Sequence, residues 1–418
     1  MPLSTEKKSD VKNNNALIPL EEAYRIVDET LADAKLPGQT ISVRLAAGRV
    51  LLNDEVSRLD LPPFDKSAMD GYAILNDDER NEYRLLETVP AGRVGTAELV
   101  PGATVKVMTG SGVPAGTGKV VMIEQTEERD GIVRVLSHKG TPNICRKAED
   151  VHCGQTILSA GTKLSALDVA NLIGCGITEV EVASALRVAI ISTGDEIVDS
   201  PDLLLPGKIM NTNGPLLAGL SKEFGFEVVS EESLPDDRDA TLNALRLALE
   251  RADAVMLSGG VSVGEFDFVS DALADLGLTV HFSRVAVKPG KPMTYATAPG
   301  AGAAAKVVFG LPGNPVSVLL MFHLFVLRAA ALMTGQRAPL REFTLRLAAD
   351  FKRWKTRRAE YLPCRLAPNA TIEQIEFHGS AHLTALTHAD GFFVVPQGTA
   401  ALSAGDDVVF VPIGSTCR

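Results

Sequence analysis

Apolar positions along the chain follow three rhythms. Between residues 19 and 34, Ala23, Ile26, Val27 and Leu31 recur at helical spacing, with Glu21 and Glu22 in the first turn, where acidic groups favour the positive end of a helix. From 41 to 136 the apolar runs shorten, as at 105–108, 120–123 and 132–136, and Gly or Pro interrupts them at short intervals, which predicts a small β-rich unit. A helix at 166–173 and an edge strand at 179–182 follow. At Arg187 the rhythm turns to strand–helix–strand. Apolar strands at 188–192, 254–257 and 307–309, with others at 227–231 and 278–287, alternate with helices at 215–224, 239–251 and 268–276. Buried strands linked by amphipathic helices need crossover connections, so a parallel, doubly wound sheet is expected. After Gly335 the β texture returns at 343–347, 372–377, 392–395 and 408–411, the pattern of a small C-terminal β-barrel.

The expected fold class is therefore multidomain α+β and α/β, with a central doubly wound α/β domain and β-rich units on either side. The most apolar stretch, 316–333, contains His323 and Arg328 and is expected to be a buried helix, not a membrane span. Residues 1–15 are polar and Asn-rich, have no apolar core of a secretory signal, and are expected to be a disordered leader.

Composition narrows the functional classes. The chain has 418 residues, enough for two to four compact units of ~150 residues. Its 45% apolar and 22% charged content excludes wholesale disorder. A net charge of −11 offers phosphates no overall positive field, which argues against a nucleic-acid partner while leaving room for a local basic pocket. Five cysteines (Cys145, Cys153, Cys175, Cys364, Cys417) show no C-x-x-C spacing, so reduced thiols in a cytoplasmic protein are expected, with neither a zinc knuckle nor a disulfide framework.

Four loops of the α/β region fall where strands end, the edge at which open parallel sheets bind ligands. They are Thr193-Gly194-Asp195-Glu196, Ser258-Gly259-Gly260-Val261-Ser262-Val263-Gly264, Lys288-Pro289-Gly290-Lys291-Pro292 and Gly310-Leu311-Pro312-Gly313-Asn314-Pro315. The glycine-rich loop is open to two readings, a turn that needs positive φ or a phosphate cradle. Lys288 and Lys291 flank a rigid Pro-Gly turn suited to a small dianion, or else are solvated surface lysines. Asp195, Glu196 and Asp267 on the same edge suit Mg²⁺ beside phosphates. Asp267 is equally placed to cap the helix that follows it, and Asp236-Asp237 reads as turn and cap. In the β-rich region, Pro62-Pro63-Phe64-Asp65-Lys66-Ser67-Ala68-Met69-Asp70-Gly71-Tyr72-Ala73 crowds two carboxylates, a lysine and a hydroxyl into one segment, with Met69 and Tyr72 expected to pack.

That segment resembles the signature of the molybdopterin molybdenumtransferases, the family of bacterial MoeA and the gephyrin E domain. Further similar stretches follow in chain order: Met108-Thr109-Gly110, Glu149-Asp150, the four loops above, Arg358-Ala359-Glu360-Tyr361 and Gly379-Ser380-Ala381-His382-Leu383. Together they span about residues 17–412. One departure is Ala148, where the family usually has Gly before Glu-Asp.

Beyond the leader at 1–15, which has no counterpart in the family, the resemblance implies a discontinuous linker domain at 16–57 and 143–185 and a β-rich inserted domain at 58–142. A molybdopterin-binding α/β domain at 186–334 and a C-terminal β-barrel domain at 335–418 complete the chain, which is implied to form a homodimer. The implied activity is insertion of molybdate into adenylylated molybdopterin, with Mg²⁺-dependent release of AMP. Lys288, Lys291, Pro292, Ser317, Arg358 and Ser380 would then hold molybdate. Gly259, Gly260, Ser262, Pro312, Gly313, Asn314 and Pro315 would seat the pterin phosphate and adenylate, and Glu196 and Asp267 would ligate Mg²⁺. Asp70, Thr109 and Asp150 would face the cleft as further catalytic groups. Implied partners are the adenylyltransferase and apo-molybdoenzymes, with no membrane association. Two other readings are a molybdopterin adenylyltransferase, whose fold would resemble 187–334 alone, and a non-catalytic scaffold.

Overall fold

The computed structural model describes residues 16–260, 268–298, 305–337 and 342–414; Asp267 and Ser262 lie outside the described residues. The α/β core is a six-stranded sheet built from Glu227–Leu234, Arg187–Thr193, Ala254–Ser258, Val307–Leu311, Pro292–Thr297 and Thr279–Arg284, in that spatial order. The first four strands run parallel, as expected. The fifth does not. Pro292–Thr297 is antiparallel to both Val307–Leu311 and Thr279–Arg284, which makes the sheet mixed.

Alternation within the strands explains why helices cover both faces. Val188 and Ile190, with Ala254 and Met256, pack on one side; Ala189 and Ile191, with Val255 and Leu257, pack on the other. The first face is covered by Asn213–Glu223 and by the continuous helix Pro315–Thr334, and the second by Arg238–Arg251 and Phe268–Asp275. Pro315–Thr334 is long and apolar enough to span a bilayer, yet most of it is buried in the protein, and it passes through a π-helical turn at Phe322–Val326. The N-terminal helix Leu20–Thr30 also packs on this core through Ala23, Val27 and Leu31, and its Asp28 pairs with Arg328 of the long helix.

The β-rich region forms a second six-stranded sheet containing Gly71–Leu75, Ala103–Val107 and Thr117–Met122. Gly38–Ser42 pairs with Glu179–Ala183 beside the helix Ala166–Gly174, so chain before and after that sheet meets in one small unit. Near the C-terminus, Ala359–Leu366, Thr371–Gln374, Phe343–Leu347, Asp407–Pro412 and Gly391–Val395 close into a five-stranded barrel, because the last of these pairs back onto the first.

One expected strand divides in two. Residues 278–287 read as a single strand, but only Thr279–Arg284 joins the α/β sheet. Val287–Lys288 crosses over and pairs with Ala359 and Glu360 of the barrel. The turn that follows, 289–291, leads directly into Pro292–Thr297. This excursion carries the lysine turn into the crevice between core and barrel.

Candidate active site

Five segments at the carboxyl edge of the parallel strands and two barrel segments enclose a cavity of about 950 Å³, within the ~300–1,000 Å³ range of small-molecule sites. The lysine turn belongs to this edge for a topological reason. Thr279–Arg284 points the same way as the parallel strands, since it is antiparallel to a strand that is itself antiparallel, so the chain leaves it at the carboxyl edge.

Thr193-Gly194 and Gly259-Gly260 form one wall. Gly259 has φ +91° and Gly260 φ +64°, as the turn reading required. A Cβ on Gly259 would lie 2.2 Å from the Thr193 carbonyl oxygen, so the two loop backbones touch only because no side chain stands there. The Thr193 hydroxyl is buried in this wall and has no hydrogen-bond partner among the described residues.

The N-terminus of Pro315–Thr334 forms the second wall, with Pro312, Gly313, Asn314 and Ser317. Pro315 occupies the first helical position, and Asn314 provides no side-chain cap. The Asn314 amide instead donates to Ser380 Oγ at 2.7 Å, and the Val316 amide donates to the Ser380 carbonyl at 3.1 Å. This clasp brings Ser380 of the barrel side against the helix end, where aligned peptide dipoles favour negative charge.

The third wall is cationic. Lys288, Lys291 and Arg358 line it, with Pro289, Gly290 and Pro292 between the lysines. Gly290 has φ +103°, and a Cβ there would meet Met321 Cε at 2.7 Å, so the turn lies flat on the long helix. Arg358 donates from Nη1 to the Val287 carbonyl at 3.0 Å, which fixes its guanidinium beside the lysine strand. The Lys291 carbonyl accepts from the Val285 amide at 3.0 Å, whereas its ammonium has no hydrogen bond or ion pair to a described residue. Lys288 is paired with Glu360.

Glu196 and Asp236 supply carboxylates to the cavity. No cluster of three metal-ligating side chains occurs among the described residues, so an all-protein metal cage is not formed there. A hard cation that takes one or two carboxylates and fills its remaining positions with phosphate oxygens and water does fit this donor set.

Asp70, Thr109 and Asp150 do not line this cavity. Asp70 Oδ1 accepts from the Thr109 amide and hydroxyl, both at 2.7 Å, and these bonds, the amide foremost, hold its carboxyl below the usual range. Asp150 sits in a turn whose amide donates to the Leu61 carbonyl at 2.9 Å. The segments 61–71, 109–112 and 143–151 are laced together by backbone bonds, which accounts for the crowded motif as one surface of the β-rich unit. Tyr72 packs as expected, its hydroxyl donating to Glu128 Oε2 at 2.6 Å, whereas Met69 is exposed.

Sequence reasoning did not select Thr193, Asp236, Glu360 or His378, all of which line the cavity. Asp237 is the helix cap, accepting from the Ala240 amide at 2.7 Å, which leaves Asp236 beside the site. Glu360 lies within the Arg358-Ala359-Glu360-Tyr361 stretch, but nothing local marks it as the partner of a lysine 72 residues away.

Comparison with known proteins decides the family. Models of the MoeA N-terminal region (domains I and II), a probable molybdopterin binding domain and the MoeA C-terminal region (domain IV) match residues 18–176, 189–331 and 344–413. The chain is 32% identical over 403 residues to the molybdopterin molybdenumtransferase of Staphylococcus aureus strain Mu50, covering 94% of each. The chain belongs to the molybdopterin molybdenumtransferase family. A Staphylococcus epidermidis molybdopterin molybdenumtransferase is likewise 32% identical, over 97% of this chain and 96% of that one. The crystal structure of the molybdopterin biosynthesis moeA protein from Pyrococcus horikoshii OT3 superposes with a TM-score of 0.79 at 31% identity, covering 95% of this chain and 100% of that chain. As a molybdopterin molybdenumtransferase, this chain is a transferase of molybdenum cofactor biosynthesis that inserts molybdenum.

Proposed function

We propose that the cavity captures molybdate between Lys288, Lys291 and Arg358, and presents it to adenylylated molybdopterin, from which AMP is released. The observation that carries this reading is the gathering of these three cations, with the hydroxyls of Ser317 and Ser380, around one cavity of a chain whose net charge is −11. Molybdate is a tetrahedral dianion. Two ammoniums on a rigid turn and a planar guanidinium offer it charge-assisted donors from several directions.

In this reading the glycine wall and the end of the long helix seat the phosphates, whose negative charge suits open backbone amides. Glu196 would hold Mg²⁺, with Asp267 as the proposed second carboxylate and Asp236 near at hand. When bound, Mg²⁺ screens the charge of the phosphate oxygens and polarises them. The protein's own groups keep metal oxyanion and nucleotide in one crevice, which raises their effective concentration.

Because Asp70, Thr109 and Asp150 stand away from this chain's cavity, we assign any part they play in the reaction to the cavity of a second copy, in a homodimer. An adenylyltransferase reading fits less well. The cavity needs Arg358, Glu360 and Ser380, all outside the α/β unit. A scaffold role gives no reason for cations to converge there.

Reconstitution tests the proposal. The purified chain is incubated with molybdate, Mg²⁺ and either adenylylated or unmodified molybdopterin, and AMP and active cofactor are both measured. The expected result is stoichiometric AMP and cofactor with the adenylylated substrate alone. Equal cofactor from unmodified molybdopterin without nucleotide would reject the adenylylated substrate.

A further inference from the structure

The cationic wall contains a carboxylate that oxyanion capture, taken alone, would disfavour. Glu360 is 6% exposed, near the start of the barrel strand Ala359–Leu366. Its Oε2 accepts from Arg353 Nη1 at 3.2 Å, and its Oε1 accepts from Lys288 Nζ. Arg353 is itself buried and donates to the carbonyls of Thr399 at 2.7 Å, Arg358 at 3.1 Å and Pro396. Its position is therefore over-determined, and it fixes Glu360 in turn. Backbone register completes the arrangement, since Lys288 pairs directly with Glu360 across the strand that links core to barrel.

Charge accounting gives the arrangement a purpose. The Arg353 charge cancels that of Glu360, so the Lys288 charge is left for a ligand. A lysine ammonium has three donors on a long flexible stem. With one donor given to a fixed carboxylate oxygen, the other two point in set directions.

We propose that Glu360 is a positioning residue that acts through Lys288, holding its ammonium toward the oxyanion so that less ordering is left to occur on binding. The inference rests on the reading of Lys288 as an oxyanion ligand. The Glu360→Gln variant keeps the shape and removes the charge. The molybdate KM should rise about tenfold, the effect of one charge-assisted hydrogen bond, while kcat at saturating molybdate stays close to the parent's.

A double-mutant cycle separates the two ideas. In a Lys288→Ala background, Glu360→Gln should leave the molybdate KM unchanged or lower it, because a carboxylate that has lost its lysine partner only repels the anion. A rise by the same factor in both backgrounds would overturn the inference, as would a fall in kcat at unchanged KM. If Lys288→Ala alone leaves the molybdate KM at the parental value, the oxyanion reading itself fails. If only Glu360→Gln is silent, the positioning role fails by itself. Should Glu360→Gln not fold, Glu360→Asp retains the charge at shorter reach. Its expected molybdate KM lies between those of the parent and Lys288→Ala, and a parental KM would overturn the role.

Discussion

Ala148 shows how far single residues could be read. The resemblance makes Gly the expected residue here, and the backbone suits it: φ is +61°, in the left-handed region, where the residue starts the turn to Asp150. An L-residue in that region costs ~1–2 kcal/mol, and Gly recovers part of this while losing more entropy on folding. Ala148→Gly is therefore expected to raise unfolding free energy by up to about 1 kcal/mol, as read by denaturant titration. Lys288 and Lys291 could be picked out because a turn-rich loop at a strand end declares itself in sequence, and Arg358 and Ser380 through the family resemblance of their segments. Glu360 and Asp236 could not. What makes each a cavity residue is a partner or a wall contributed from far along the chain.

At the scale of elements, apolar runs located most strands and helices, and the failures have definite causes. Ala359–Leu366 escaped notice because Glu360 and Pro363 interrupt its apolar pattern; their burial in the barrel wall is a tertiary fact. Pro292–Thr297 does not read as a strand in the sequence at all, and it is the one strand that runs against the others in a sheet expected to be parallel. In the long helix, His323 is fully buried in the π-helical turn. Its Nδ1 donates to the Leu319 carbonyl at 2.8 Å and its Nε2 accepts from the Gly414 amide at 3.3 Å, which requires the neutral ring. Burial lowers its pKa below 6.5. The folded chain thus excludes a proton that the unfolded chain binds, so the stability this group contributes is present above about pH 6.5 and is lost as pH falls through the folded value. Unfolding free energy should drop between about pH 7.5 and pH 5.5, and His323→Met should flatten the part due to this ring. An equally steep drop in the variant would exclude His323 as its source.

Over the whole molecule, the α/β core and the barrel share one cavity, joined by the excursion through Val287–Lys288 and the clasp of Asn314 on Ser380. The layers could be foreseen from periodicity, but the crevice between them could not, because it depends on how the barrel packs against the core, with Tyr361, Phe392 and Val411 joining the core's apolar cluster. If a second copy supplies Asp70, inactive variants should complement one another. Co-expressed Asp70→Ala and Lys291→Ala chains should regain cofactor synthesis that neither shows alone, since a mixed dimer contains one intact cleft. Absence of any recovery, with mixed dimers demonstrated, would count against a shared cleft.

The central claim is that a locally cationic crevice in an acidic protein captures the metal oxyanion. The most direct measurement is the molybdate KM of Lys291→Ala in the reconstituted reaction, alongside its thermal midpoint. Loss of one charge-assisted contact should raise KM about tenfold or more with the midpoint unchanged. A parental KM in a fully folded variant would contradict the claim.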